Sequence, residues 1–309
     1  NKRTTAAWQN YFCIGRGQSL IPNDMKSLFL SRSALIAALA LSAAVPGLAQ
    51  APAPLPEAGM PAPPYADIAD LVIASPLVID ATIRSTSKIK PANAPDLPPG
   101  MLRFYVEADV NALIRGPAAI PPRIGYLLDA APDARGREPK YKKSRVLLFA
   151  RPVPGQGDQV QLVTPGAQLG WSPATEALAR RITAEVLAAA APPVVTGIGN
   201  AFHVAGSLPG EGETQIFLRT ADHRPVSLSI LRRPGEQARW AVALSEIIDD
   251  SAAPPKPDTL LWYRLACFLP RGLPDDSIAS LSPEDAAQAR ADYRFVLEQL
   301  GPCGRTRGR

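Results

Sequence analysis

The chain of 309 residues holds only two histidines, His203 and His223, so any reaction that needs an imidazole base must use one of them. His203 lies in the extended segment Phe202-His203-Val204, where an acid such as Asp222 or Glu246 would have to orient it for general-base work. His223 lies in the polar stretch Ala221-Asp222-His223-Arg224 and reads as a solvated turn residue. Ser85-Thr86-Ser87-Lys88 has the S-x-x-K spacing of serine acyl-transferases, in which a serine at a helix start loses its proton to a lysine one turn on. Here the motif follows a β-branched run and enters Lys90-Pro91, without a Lys-Thr-Gly or Ser-Asp-Asn elsewhere, so it reads as a polar turn. Ser207 follows a strand but precedes no helix, which removes the geometry of a nucleophile elbow. Glu246, Asp249 and Asp250 cluster three carboxylates that could hold a hard cation or act as an acid/base pair. Their spacing fits neither a calcium loop nor a helix-borne site. Trp171, Trp240 and Trp262 are expected in the core or at an internal boundary rather than in a ligand groove. No set of residues requires a cofactor, and the preferred reading is non-catalytic.

What the sequence does address is location. Residues 25–49 have the layout of a secretory signal peptide: Lys26 and Arg32, then the apolar run Ala34 to Leu41, then small residues at Gly47-Leu48-Ala49. The apolar run is about a dozen residues, short of the ~20 that a membrane-crossing helix needs. Cleavage is expected near Ala49, giving a periplasmic or secreted product with no transmembrane segment. Residues 1–24 read as an untranslated upstream stretch or a disordered extension, and they carry Cys13. The two remaining cysteines, Cys267 and Cys303, are then expected to form one disulfide in an oxidising compartment, with two free buried thiols as the alternative.

Charge argues against a nucleic-acid partner. The whole chain has 33 Lys and Arg against 28 Asp and Glu, but residues 1–49 contribute five of the bases and one of the acids. Residues 50–304, without the arginines of the tail 304–309, carry 25 bases against 27 acids. A near-neutral body offers no phosphate-binding footprint. The expected partner is an unidentified protein or envelope component.

Residues 50–64 form a Pro/Ala linker that cannot build a core. Residues 65–171 are read as a β-barrel-like domain. Its expected strands include Leu71-Val72-Ile73, Leu77–Ile83, Leu102–Val110, Arg145–Ala150 and Gln159–Val163, with a charged loop over 133–143. Residues 172–303 are read as a helix plus a β-sheet domain with C-terminal helices. Ser172-Pro173 opens a helix to about Ala190, Asp258 caps a short helix, and Ser282-Pro283 opens a last helix with the stripe Ala286, Ala289, Tyr293, Val296, Leu297 and Leu300. The predicted class is α+β, a small N-terminal barrel followed by a β-rich domain closed by helices.

Ala69-Asp70-Leu71-Val72, a strand ending in Leu113-Ile114-Arg115-Gly116, then Val146-Leu147-Leu148-Phe149 and a closing Gly170-Trp171 resemble the OB-type barrels of exported bacterial proteins, themselves similar to netrin and metalloproteinase-inhibitor barrels. The resemblance implies a barrel scaffold over about a third of the chain and assigns no catalytic residue. The N-terminal cysteine with which metalloproteinase inhibitors hold metal has no counterpart here. The functional expectation is an exported binding or interaction protein. The alternatives are a periplasmic hydrolase built on His203 and a structural envelope protein.

Overall fold

The computed structural model describes residues 63–117, 119–244 and 252–307. The signal segment, residues 1–24, all but the end of the Pro/Ala linker, and the acids Glu246, Asp249 and Asp250 lie outside the described residues.

A helix opens the fold. Pro64 precedes α1 (Tyr65–Ala74), and Tyr65, Ile68, Ala69 and Val72 recur every three or four residues as one buried stripe. The expectation of a strand at Leu71-Val72-Ile73 is therefore wrong. The β-branched triplet masked a helical period that becomes visible only when the window starts at Tyr65.

Five strands then close a barrel: β1 (Leu77–Lys88), β2 (Leu102–Arg115), β3 (Arg123–Ala130), β4 (Arg145–Val153) and β5 (Gln156–Leu162). Neighbours run β1-β2-β3-β5-β4, and β4 pairs back with β1 to complete the ring. All pairs are antiparallel except β3 with β5, which run parallel and meet at Gly125 and Gln159. This is the expected small barrel, a five-stranded Greek-key arrangement of OB type. Strand β3 lacks a strong sequence signature because Pro121-Pro122 precede it and Gly125 interrupts it. A short β6 (Gln168–Gly170) adds to β4. Ile79, Ala81, Ile83, Val106, Ala108, Ile124, Leu148 and Ala150 fill the fully buried positions of the strands.

The second half begins with α2 (Pro173–Leu187). The Ser172 hydroxyl accepts the Thr175 N–H at 3.1 Å, satisfying an otherwise orphaned donor of the first turn. Strands β7 (Val195–Ala205), β8 (Gly212–Thr220), β9 (Val226–Arg232) and β10 (Arg239–Ala243) form an antiparallel meander. Strand β7 carries register irregularities against β8 that include one between Ile198 and Ala201. The short helix α3 (Leu260–Ala266) is capped by Thr259 rather than Asp258, because Asp258 adopts a positive φ of 56° and places the next residue at the cap. Helix α4 (Pro283–Leu300), capped by Ser282, lays its expected apolar stripe on β7 and β8. Helix α1 packs on α2, α3 and β4, so one continuous hydrophobic core runs from the barrel into the second half. Trp240 and Trp262 belong to that core, each 7 % exposed.

Cys267 and Cys303 form a disulfide with an S–S distance of 2.06 Å, tying the end of α3 to the segment after α4. Beyond it the chain docks on α1. Arg305 pairs with Asp70 at 2.5 Å, and Thr306 and Arg307 donate their backbone N–H groups to buried Asp67 at 2.9 and 3.2 Å. Among the described residues no helix is long and apolar enough to cross a membrane.

Candidate functional site

Strand pairing places a groove of about 590 Å³, lined by a few polar side chains over a larger apolar surface, on the outside of the barrel, where β2, β3 and β5 converge. Parallel β3 and β5 touch at one register position only, so their side chains splay and leave room between them. Arg103 on β2 forks onto Asp129 on β3, with both N···O distances 2.7 Å, and reaches Asp96 in the preceding loop, also at 2.7 Å. Asp129 and then Asp96 raise the guanidinium pKa further above its already high value, so the fork stays charged at any physiological pH. Tyr105, two residues along β2 and on the same face, meets Gln159 on β5, whose amide donates to the phenol at 3.1 Å.

That bridge passes directly over Gly125. A Cβ at this position would lie 2.2 Å from the Tyr105 hydroxyl and 2.6 Å from Gln159 Oε1, so any side chain there would break it. Arg151 donates to Gln161 at 3.1 Å, and half-exposed Leu127 supplies an apolar contact. The lining thus carries two arginines, Arg103 and Arg151, against two aspartates, Asp96 and Asp129, and is neutral. Its volume lies in the range of small-ligand sites.

A second polar constellation lies under the meander and includes the sequence candidate His203. Its Nδ1 is 2.9 Å from the Thr214 hydroxyl, and that hydroxyl donates to Asp292 Oδ2 at 2.5 Å. Thr214 and Asp292 are fully buried, and Asp292 Oδ1 accepts from Arg232 at 2.5 Å and from Gln288 at 3.0 Å. A hydroxyl has one proton to give. Since Thr214 gives it to Asp292, it can only accept from His203, so Nδ1 carries a hydrogen and the neutral ring is the Nδ1–H tautomer. The ring lies over Gly212, where a Cβ would come within 2.8 Å of Cε1 and 3.1 Å of Nε2.

The other sequence candidates fall elsewhere. Asp222 pairs with Arg224 at 2.7 Å in the β8–β9 turn, which holds its carboxyl below the usual range. His223 is exposed in the same turn at φ 60°. Ser85 and Lys88 sit on one strand three residues apart, so they point to opposite faces. Ser85 donates to Glu107 and Lys88 pairs with Glu138, each at 2.7 Å, and the acyl-transferase spacing does not assemble. Ser207 bonds within its own loop to Glu211. Among the described residues no group of three His, Cys, Asp or Glu side chains could hold a metal ion.

Thr214 and Asp292 were missed because they lie 11 and 89 residues from His203 and carry no motif. The spacing of Tyr105 from Gln159, 54 residues, hides the groove in the same way. The chain matches no protein-family model, and no curated protein matches it.

Proposed function

We propose that this chain is an exported, non-catalytic binding protein whose barrel groove takes a neutral, polyhydroxylated ligand such as an oligosaccharide. The observation that carries the reading is the fixed fork of Arg103 on Asp129 beside the Tyr105–Gln159 bridge. Planar donors and acceptors held in place by each other recognise hydroxyl pairs at little entropic cost. A polyanion would need excess positive charge, and the neutral lining lacks it. Export is supported by the leader pattern at residues 25–49 and by the Cys267–Cys303 bridge, which fits an oxidising space. Kinship with exported OB-type barrel proteins belongs to the same proposal and is supported by the strand order β1-β2-β3-β5-β4.

Titration calorimetry with neutral oligosaccharides of envelope type tests the binding. The wild type should bind, and Gln159→Ala should weaken binding at least tenfold while the fold persists. Equal affinity in the variant, or no binding by the wild type, would sink the reading. Export is tested by N-terminal sequencing of periplasmic protein, which should begin near Gln50.

A second reading has a specific observation behind it. The Asp292–Thr214–His203 chain fixes the tautomer that a general base needs, which supports a hydrolase built on His203. Hydrolysis of an activated ester that is lost in His203→Ala and reduced in Thr214→Val would favour it over the binding reading.

A further inference from the structure

Beside the barrel groove is a second cavity, of about 660 Å³, in the gap between the end of β3 and β6. Both cavities have Asp129 and Pro165 in their walls, so the Arg103–Asp129 fork stands where they meet. Across the gap the Tyr126 phenol donates to Gln168 Oε1 at 2.6 Å, which leaves the Gln168 amide hydrogens to donate elsewhere. A turn from Tyr141 to Ser144 forms another wall. The Ser144 N–H donates to the Tyr141 carbonyl at 2.9 Å, and Lys143, at φ 70°, gives its N–H to the Ile83 carbonyl at 2.8 Å, which pins the turn to β1. The Tyr141 ring makes an edge contact with Phe104, their centroids 6.4 Å apart.

The chemistry of this cavity differs from that of the groove. Lys140, Tyr141 and Ser144 line it with an ammonium and two hydroxyls, and none of these three side chains bonds to another described residue. Burial raises the Tyr141 pKa, so the phenol keeps its proton. The neighbouring acids are already occupied. Asp129 gives both oxygens to Arg103, and Glu138, two residues before Lys140, pairs with Lys88 at 2.7 Å. Arg145, also in the wall, is matched by a two-point contact with Asp80. Lys140 is thus the one uncompensated charge of the lining, and no free carboxylate competes for the donors around it.

We infer that the second cavity is an oxyanion subsite of the groove, so that the ligand is an oligosaccharide with a neutral run along β2, β3 and β5 and one acidic group, a carboxylate or a phosphate monoester, at its end. Lys140 supplies the counter-charge, with Tyr141, Ser144 and the Gln168 amide as further donors. One positive charge suits one acidic group and gives a polyanion no advantage. The inference rests on the saccharide reading of the groove and adds to it the charged end of the ligand.

Titration calorimetry of the mature protein tests this with three probes: a neutral tetramer of N-acetylglucosamine, the same tetramer ending in a uronate, and the same tetramer ending in a 6-phosphate. One or both acidic tetramers should bind the wild type about tenfold more tightly than the neutral one. In Lys140→Met that advantage should fall to about twofold or less, with the affinity for the neutral tetramer unchanged. Lys142→Met removes the same charge from outside the lining and should keep the advantage. A gain with the uronate alone assigns a carboxylate, and a gain with the 6-phosphate alone a phosphate monoester. Equal binding of all three by the wild type overturns the inference and leaves the saccharide reading standing. An undiminished advantage in Lys140→Met overturns it as well, as does an equal loss in Lys142→Met, which would assign the gain to long-range charge. Binding of none of the three defeats both readings together.

Discussion

In the barrel groove the Arg103 and Asp129 side chains keep 13 % and 17 % of their surface exposed, whereas Asp292 beneath the meander keeps 1 %. The groove acid faces one main partner and solvent; the buried acid has Thr214, Arg232 and Gln288 all directed at it. A pair that keeps some contact with water leans less on any single partner than a fully buried one, so its geometry is freer to serve recognition. A carboxylate cut off from water depends on every hydrogen bond it receives, so its neighbours are fixed, and His203 with them. The same residue types thus present a reusable surface in one half and a fixed internal chain in the other.

The largest expected effect is in the buried chain. Asp292→Ala should cost about 3–5 kcal/mol in urea unfolding, because Arg232 and Thr214 lose their acceptor. A loss under 1 kcal/mol would erase the contrast. Replacing Cys267 and Cys303 together with serine should cost about 3–4 kcal/mol, in line with closure of a loop with a sequence separation of 36 residues. It should also speed proteolysis of the segment holding Arg305 to Arg307, which a protease time course would read.

Asp80 offers a test within the barrel half. It is 1 % exposed and takes a two-point contact from Arg145 at 3.0 and 2.6 Å, with Asn111 at 3.0 Å. Burial alone would raise its pKa, but Arg145 and Asn111 outweigh burial and hold the carboxyl below its ordinary range. A folded pKa below the unfolded one gives stability that is complete above about pH 4 and lost as pH falls through the folded value. Asp80→Asn should therefore cost about 1.5–3 kcal/mol at neutral pH, and the gap to wild type should narrow below about pH 4. A gap constant with pH would show that the charge of Asp80 is not what stabilises.

The smallest stability effect belongs to the groove. Arg103→Met should shift unfolding by about 1 kcal/mol or less while weakening oligosaccharide binding at least tenfold. If instead stability collapsed, the groove would be another structural network and the comparison would fail.

Much of the scaffold was legible locally. Ser172-Pro173 and Ser282-Pro283 announce helix starts because a serine oxygen and a proline lacking its N–H both answer the unpaired donors of a first turn. The strands at Leu77, Leu102 and Arg145 follow from β-branched runs and alternation, though α1 and β3 escaped because short apolar runs do not distinguish helix from strand. The candidate sites were far less legible. His203 could be singled out, but not its partner, and Arg103, Tyr105 and Gln159 of the groove drew no attention at all.

The sequence by itself determined the leader-like segment, the near-neutral body, the α+β class and the Ser-Pro helix starts at 172 and 282, all properties carried by neighbouring residues or by composition. Tertiary structure alone decided that Asp292 stands behind Thr214 and that Tyr105 crosses Gly125 to Gln159. Side-chain chemistry sets what each group can do, but the free energy of doing it depends on distance and access to water. Those quantities exist only once strands and helices far apart in the chain have packed together.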